Sequence, residues 1–260
     1  MDHQAVDDIL RSLGRVAVAY SGGVDSTLLL KLAVDVLGRE NVVAMTAHAQ
    51  HHSEREIAFA KEMAESIDVN WVCLPMDLYA IEGMESNPRD RCYICKRAVF
   101  ESILAEARRL GFSCLCDGLN VDDEGEHRPG TRAVRELGVR SPLQEARMTK
   151  ATIRALSREL NLPTAQMPAL ACLATRIPYD TRITVEALRR IDRAETALFA
   201  LGLSQVRVRD HDGVARIEVP AGDISAIAQR HEEIAGIVRN SGFAYASLDL
   251  EGYRTGRMDE

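Results

Sequence analysis

The sequence predicts an α/β protein, with a parallel sheet covered by helices on both faces and a smaller α+β unit after it. Three observations carry this prediction. Four short β-prone runs, VAVAY at 16–20, NVVAMT at 41–46, NWVCLP at 70–75 and FSCLCDG at 112–118, alternate with stretches of helical apolar spacing, the signature of strand–helix–strand units. The first run passes through Ser21-Gly22-Gly23 directly into a helix that carries Leu28, Leu29, Leu30 and Leu32. Beyond Pro168 the pattern changes to a helix, a hairpin turning on Asp212-Gly213, a second helix and a last strand.

In order, residues 3–13 read as a short amphipathic helix and about 25–37 as the helix after the glycines. The polar AHAQHHSERE follows the second strand. His51 and His52 are adjacent and point apart, so they are poor co-ligands even with His48 nearby, and the stretch reads as a solvated loop. A helix to about Ile67 and the third strand come next. Asn87-Pro88 forms a turn, and Lys96 to Leu110 is helical, with Cys92 and Cys95 at its entrance. The fourth strand delivers Asp117, Gly118 and Asn120 at its C-terminal end, where ligands of such sheets bind. Thr149 is placed to N-cap a helix holding Lys150 and Arg154. Between Arg128 and Glu159 eight basic residues face three acids, a local anion field. The prolines at 163 and 168 end the first domain. The expected division is 1–165, a linker 166–183 carrying Cys172, and 184–260. In the last part, helices span 184–201 and 221–240, and FAYASLDL is the final strand.

A formal net charge of -7 gives no basic field of the kind nucleic-acid binders carry. No apolar run is long enough to cross a bilayer, and the N-terminus has acids where a signal peptide would be basic, so a cytoplasmic protein is expected. Six cysteines in a reducing compartment are not a disulfide framework. Cys73, Cys114 and Cys116 sit in apolar runs and read as buried thiols; Cys92, Cys95 and Cys172 need another account.

The stretch Val16 to Ser26 is the chemical centre. Glycines at 22 and 23 let the backbone turn tightly and aim N–H groups at an anion, and the helix dipole adds positive charge there. It is not a Walker loop, because no lysine lies between Gly22 and Leu30. Ser21-Gly22-Gly23-Val24-Asp25-Ser26 instead resembles the loop of the PP-loop ATP pyrophosphatases, which holds the phosphates released as pyrophosphate. The C-x-x-C at a helix entrance, beside Arg91, Lys96 and Arg97, favours thiolates that suit a soft metal. Arg207 and Arg209 lie two apart on one strand face and suit a phosphate or carboxylate, although a charge-balanced sheet face explains them equally well.

A wider resemblance covers nearly the whole chain. SGGVDS, NPRDRCYICK, DGLNVDD, RPG, SPLQEARMTKATIR, PALACLATRIPY and LGLSQVRVRDHDGVARIEVP together resemble the LarE family. Its members are ATP-dependent sulfur transferases in the making of the nickel-pincer nucleotide, the cofactor of lactate racemase. The resemblance implies a PP-loop domain of the adenine nucleotide alpha hydrolase-like fold and a smaller C-terminal domain for substrate binding and oligomerisation. It implies that ATP adenylylates a carboxylate of pyridinium-3,5-dicarboxylate mononucleotide, pyrophosphate leaves, and sulfur displaces AMP to give a thiocarboxylate. Ser21, Gly22, Gly23, Asp25 and Ser26 match the family's loop, with Asp25 as a Mg²⁺ contact, and Asp117, Gly118 and Asn120 adjoin the ATP site. Cys172 matches the sulfur-bearing cysteine. Together with Cys92 and Cys95 it matches the three-cysteine members, in which the thiolates hold a [4Fe-4S] cluster whose open iron carries a sulfide from a separate donor. Thr175, Arg176, Arg207 and Arg209 match residues near the substrate phosphate, and Glu195 and Glu218 match glutamates of the same pocket that are candidates for a divalent metal. The family also implies a homo-oligomer, specifically a hexamer.

Other readings stay open on the residues. The thiols could hold a structural zinc or form a Cys92–Cys95 disulfide. The chain could be a PP-loop tRNA thiolase, which its acidity disfavours, or a non-enzymatic nucleotide-binding Fe-S or metal sensor.

Overall fold

A computed structural model describes residues 3–124, 129–168 and 171–254. Arg128 of the basic stretch, residues 125–126 of the acidic turn and residues 169–170 beside Cys172 lie outside these. The chain forms two compact units. The first comprises Met1–Ala49, Glu54–Ile81 and Asp90–Leu170, the second Gln50–Ser53, Glu82–Arg89 and Ala171–Glu260.

Unit one holds α1 (Gln4–Leu13), β1 (Val16–Ala19), α2 (Val24–Leu37), β2 (Val42–His48), α3 (Glu54–Ser66), β3 (Asn70–Pro75), α4 (Arg91–Arg109), β4 (Cys114–Cys116), α5 (Pro129–Glu136), α6 (Pro142–Glu145) and α7 (Lys150–Glu159). The strands lie in the order β3-β2-β1-β4, with every neighbouring pair parallel. Because side chains alternate across a strand, Val16 and Val18 pack on one face with Leu10, Leu28, Met63 and Ile153, while Ala17 packs on the other with Phe100, Ile103 and Val134. Helices therefore cover both faces. Burial on both sides is why β1 and β2 read as continuous apolar runs instead of alternating ones.

The helix of the C-x-x-C begins at Arg91, five residues earlier than its apolar spacing predicted, because Cys92 and Cys95 themselves form its first turns. Thr149 caps α7 as expected, its hydroxyl accepting the Thr152 N–H at 3.2 Å. Cys116 is buried, but Cys73 and Cys114 are only partly so, and none of the six cysteines is in a disulfide.

Unit two contains α8 (Val185–Ala200), β5 (Arg207–His211), β6 (Val214–Glu218), α9 (Ile224–Gln229), α10 (His231–Asn240) and β7 (Tyr245–Leu248). The hairpin β5–β6 is antiparallel, and β7 adds parallel to β6. Asp212 and Gly213 both have positive φ (51° and 84°), the two-residue turn whose twist suits a hairpin. The single helix expected over 221–240 is broken at Arg230, whose φ of -99° and ψ of 25° leave the helical region.

Gly22 is the tightest point of the loop after β1. Its φ is +75°, and a Cβ there would lie 2.9 Å from the Ala60 Cβ. Gly22→Ala is expected to destabilise unit one by about 2–4 kcal/mol, summing left-handed strain and overpacking, as read by urea unfolding.

Candidate functional site

The loop is built from short residues, an arrangement that suits an anion. Gly23 occupies the N-cap of α2 with no side-chain capping bond, so the first-turn N–H groups are left for a ligand. The hydroxyls of Ser21 and Ser26 stand 3.1 Å apart, the Gly23 N–H donates to Ser21 Oγ, and Ser26 Oγ donates to the Gly23 carbonyl, both at 3.3 Å. These bonds hold the turn open at the end of β1.

The end of β4 is pressed against this loop. A Cβ on Gly118 would stand 2.9 Å from the Ser26 nitrogen, so only glycine lets the two backbones meet. The approach brings Asn120 to Asp25, with Nδ2 donating to Oδ1 at 3.4 Å. Asp117 accepts from Ser141 Oγ at 2.7 Å and from the Leu119 N–H at 3.3 Å, while burial pushes its carboxyl above the usual carboxylate range. Sequence reasoning missed the remaining partner: the Lys150 ammonium, from the first position of α7, is hydrogen-bonded to Asp25 Oδ2. The lysine that a Walker loop would carry in its own sequence thus reaches the anion site from 125 residues away. Part of the local basic excess around it is neutralised, since Arg140 pairs with Glu145, Arg147 with Glu124 and Arg132 with Glu136; Arg154 instead donates to the Ala165 and Met167 carbonyls.

In unit two the structure fixes the backbone at Cys172. Its carbonyl accepts from the Thr175 N–H (3.0 Å), the Thr175 hydroxyl (2.8 Å) and Arg176 Nη1 (3.0 Å). The Leu173 N–H donates to the His51 carbonyl at 2.8 Å. Arg176, expected near a substrate phosphate, is 1% exposed: Nε and Nη2 each bond Glu195 at 2.9 Å, and Nη1 also reaches the Ala171 carbonyl and the Thr175 hydroxyl. Glu195 Oε1 accepts the Val208 N–H as well. A pair so enclosed acts here as a strut tying the Cys172 turn to α8 and β5. Asn87, read from sequence only as part of a turn, is fully buried and donates to the Ile177 and Pro178 carbonyls at 3.1 and 2.8 Å.

The other named residues are also placed. Arg209 bonds Glu218 Oε2 through Nε and Nη2 (3.0 and 2.8 Å) and donates to the Thr175 carbonyl at 2.7 Å. Glu218 is 0% exposed and receives Arg216 on its other oxygen. Arg207 is buried, with its guanidinium 5.7 Å from the Tyr253 ring centre. Cys92 is exposed and Cys95 half-buried, three apart on one face of α4. The histidine stretch corrects the sequence reading: His51 is 1% exposed, not solvated, and burial, with a smaller contribution from His52, pushes its pKa down to about 3. Among the described residues no three of His, Cys, Asp and Glu are gathered as a metal site.

Comparison with known proteins agrees with this architecture. The NAD synthase family model matches residues 6–90. A pyridinium-3,5-bisthiocarboxylic acid mononucleotide synthase of Lactiplantibacillus plantarum is 37% identical, covering 96% of this chain and 91% of its own. The chain belongs to the LarE family. An uncharacterized protein of Synechocystis sp. is 41% identical over 95% of this chain and 92% of its own, and an NH3-dependent NAD+ synthetase of Chlorobium phaeovibrioides is 26% identical over 64% and 63%. The parallel sheet and the loop after β1 are the PP-loop fold that the LarE resemblance implied, and the synthetase relatives make the chain an enzyme of the ATP pyrophosphatase type. No described helix is long and apolar enough to cross a membrane.

The strut can be tested directly in this LarE-family chain. Removing one partner of a buried pair leaves the other charge uncompensated, so Glu195→Ala is expected to lower the unfolding free energy by about 3–5 kcal/mol, as read by chemical denaturation.

Proposed function

We propose that this chain is an ATP-dependent sulfur transferase that adenylylates a carboxylate of pyridinium-3,5-dicarboxylate mononucleotide and replaces it with a thiocarboxylate. The observation that carries this reading is a PP-loop whose Asp25 is met by Asn120 and Lys150, in a chain that matches a pyridinium-3,5-bisthiocarboxylic acid mononucleotide synthase along nearly its full length.

A carboxylate repels nucleophiles and has a poor leaving group; transfer of AMP to it supplies a good one. The uncapped N–H groups of α2 and the Lys150 ammonium hold the departing pyrophosphate, stabilising charge that develops as the α–β phosphate bond breaks. Asp25 fits Mg²⁺, since it is an oxygen donor at the edge of the anion site, and the ion would neutralise phosphate charge there. The LarE resemblance assigns Arg207, Arg209 and Thr175 to the substrate mononucleotide, and the bonds on the Cys172 carbonyl fix the backbone that carries that thiol.

For the sulfur, we favour delivery from a [4Fe-4S] cluster over sacrifice of Cys172. Cys92 and Cys95 on one helix face fit two of its thiolate ligands, and Cys172 would be the third. When bound, the cluster supplies the sulfide, and a separate donor replenishes it. Size-exclusion chromatography checks the homo-oligomer expected of this reading.

Anaerobically purified protein given ATP, Mg²⁺, sulfide and the dicarboxylate is expected to release pyrophosphate and make several products per chain with its intact mass unchanged. Cys92→Ser is expected to hold product at or below one per chain, and Asp25→Asn to slow pyrophosphate release by about 100-fold or more. Loss of one H₂S per product from the wild type would overturn the cluster route, and ATP binding without pyrophosphate release would overturn the enzyme reading.

A further inference from the structure

Cys114 and Cys116 belong to none of the sites above. They are the first and last residues of β4, one of the two edge strands of the parallel sheet, and being two apart they share one strand face. Their sulfurs are 4.0 Å apart. Cys116 is fully buried and Cys114 is partly exposed, so one thiol can be reached from outside with the other directly behind it.

The surroundings make the two thiols unequal. The hydrogen bond from Cys116 and the Arg140 guanidinium draw the Cys114 thiol down to about 7, against its burial, while Cys116 is pushed up by the same contact and by fuller burial. An outer thiolate beside a protonated inner thiol is how an attacking and a resolving cysteine are arranged. The alternative, a soft-metal site, has only these two donors, because among the described residues no third His, Cys, Asp or Glu completes a set.

We propose that Cys114 is a peroxide-reactive thiol and Cys116 its resolving partner, the two closing to a reversible disulfide within β4. The Cys114 thiolate attacks one peroxide oxygen and the O–O bond breaks, giving Cys114 sulfenic acid and hydroxide, which takes up a proton to become water. Cys116 then loses its proton and attacks the Cys114 sulfur, the S–O bond breaks, and a second water leaves. Two thiols are oxidised by two electrons and hydrogen peroxide is reduced to two waters. Cα atoms two apart on a strand are about 6.6–6.8 Å apart, at the upper end of what a disulfide spans. Closure must also bring the two Cβ atoms to about 3.5–4.5 Å, so β4 puckers locally around Leu115 as the disulfide forms.

Trypsin cleaves after Arg109, and the segment that follows holds Cys114 and Cys116 and no other cysteine. Reduced full-length protein is treated with limiting hydrogen peroxide, alkylated and digested. This segment is expected to become two hydrogens lighter and unalkylated, at least about 10-fold faster than Cys73 is lost, and dithiothreitol is expected to reverse it. Burial and the Glu54 charge push the Cys73 thiol up, so it is the internal reference. Cys116→Ser should leave Cys114 as a sulfenic acid that a dimedone probe labels, and Cys114→Ser should abolish both products. The proposal is overturned if both thiols still alkylate fully once Cys73 has reacted, or if wild-type Cys114 becomes a sulfinic acid while Cys116 stays a thiol. Should either variant fail to fold, the wild-type map alone decides between these outcomes.

Discussion

One close approach sets the geometry of unit one: the backbone at Gly118 meets the first turn of α2, where any Cβ would stand 2.9 Å from the Ser26 nitrogen. Asp117 and Asn120 flank that contact and inherit their positions from it. So does the segment beyond, in which the Asp122 carboxylate accepts the Lys150 N–H at 2.7 Å and thereby sets the start of α7. The Lys150 ammonium then meets Asp25 at the loop it did not come from. A short glycine contact thus brings a cation and a carboxylate to the loop after β1, from three separate parts of the chain.

Unit two has a constraint of a different kind. A fully enclosed Arg176–Glu195 pair, extended to the Val208 N–H and to the carbonyls of Ala171 and Cys172, makes the Cys172 turn part of the folded core. Charges this deeply buried are retained only where every lone pair and proton is used, and here the guanidinium makes bonds through all three nitrogens. That arrangement fixes the backbone from which the Cys172 side chain extends.

The parts legible in the sequence were those with a short-range cause. Strand runs, the glycine loop, the Thr149 cap and the Asp212-Gly213 hairpin each follow from residues within a few positions of one another. What escaped was set by tertiary contact. Lys150 could be placed on a helix but not on Asp25; Arg176 could be matched to a phosphate ligand but not seen to be enclosed; and His51 looked solvated because its neighbours are polar, although its ring lies in the interior. Asn87 escaped for the same reason, since its carbonyl partners lie about ninety residues away. The first turn of α4, Arg91 to Cys95, was missed because it carries no apolar periodicity.

In the proposed reaction AMP passes to a carboxylate of the substrate before sulfur arrives. Substrate labelled with ¹⁸O in its carboxylates tests this most directly. If the carboxylate oxygen attacks the α-phosphorus and sulfur later displaces AMP from the acyl carbon, one ¹⁸O per thiocarboxylate formed must appear in AMP and none in pyrophosphate. Label in pyrophosphate or phosphate, or a thiocarboxylate formed with unlabelled AMP, would contradict the account.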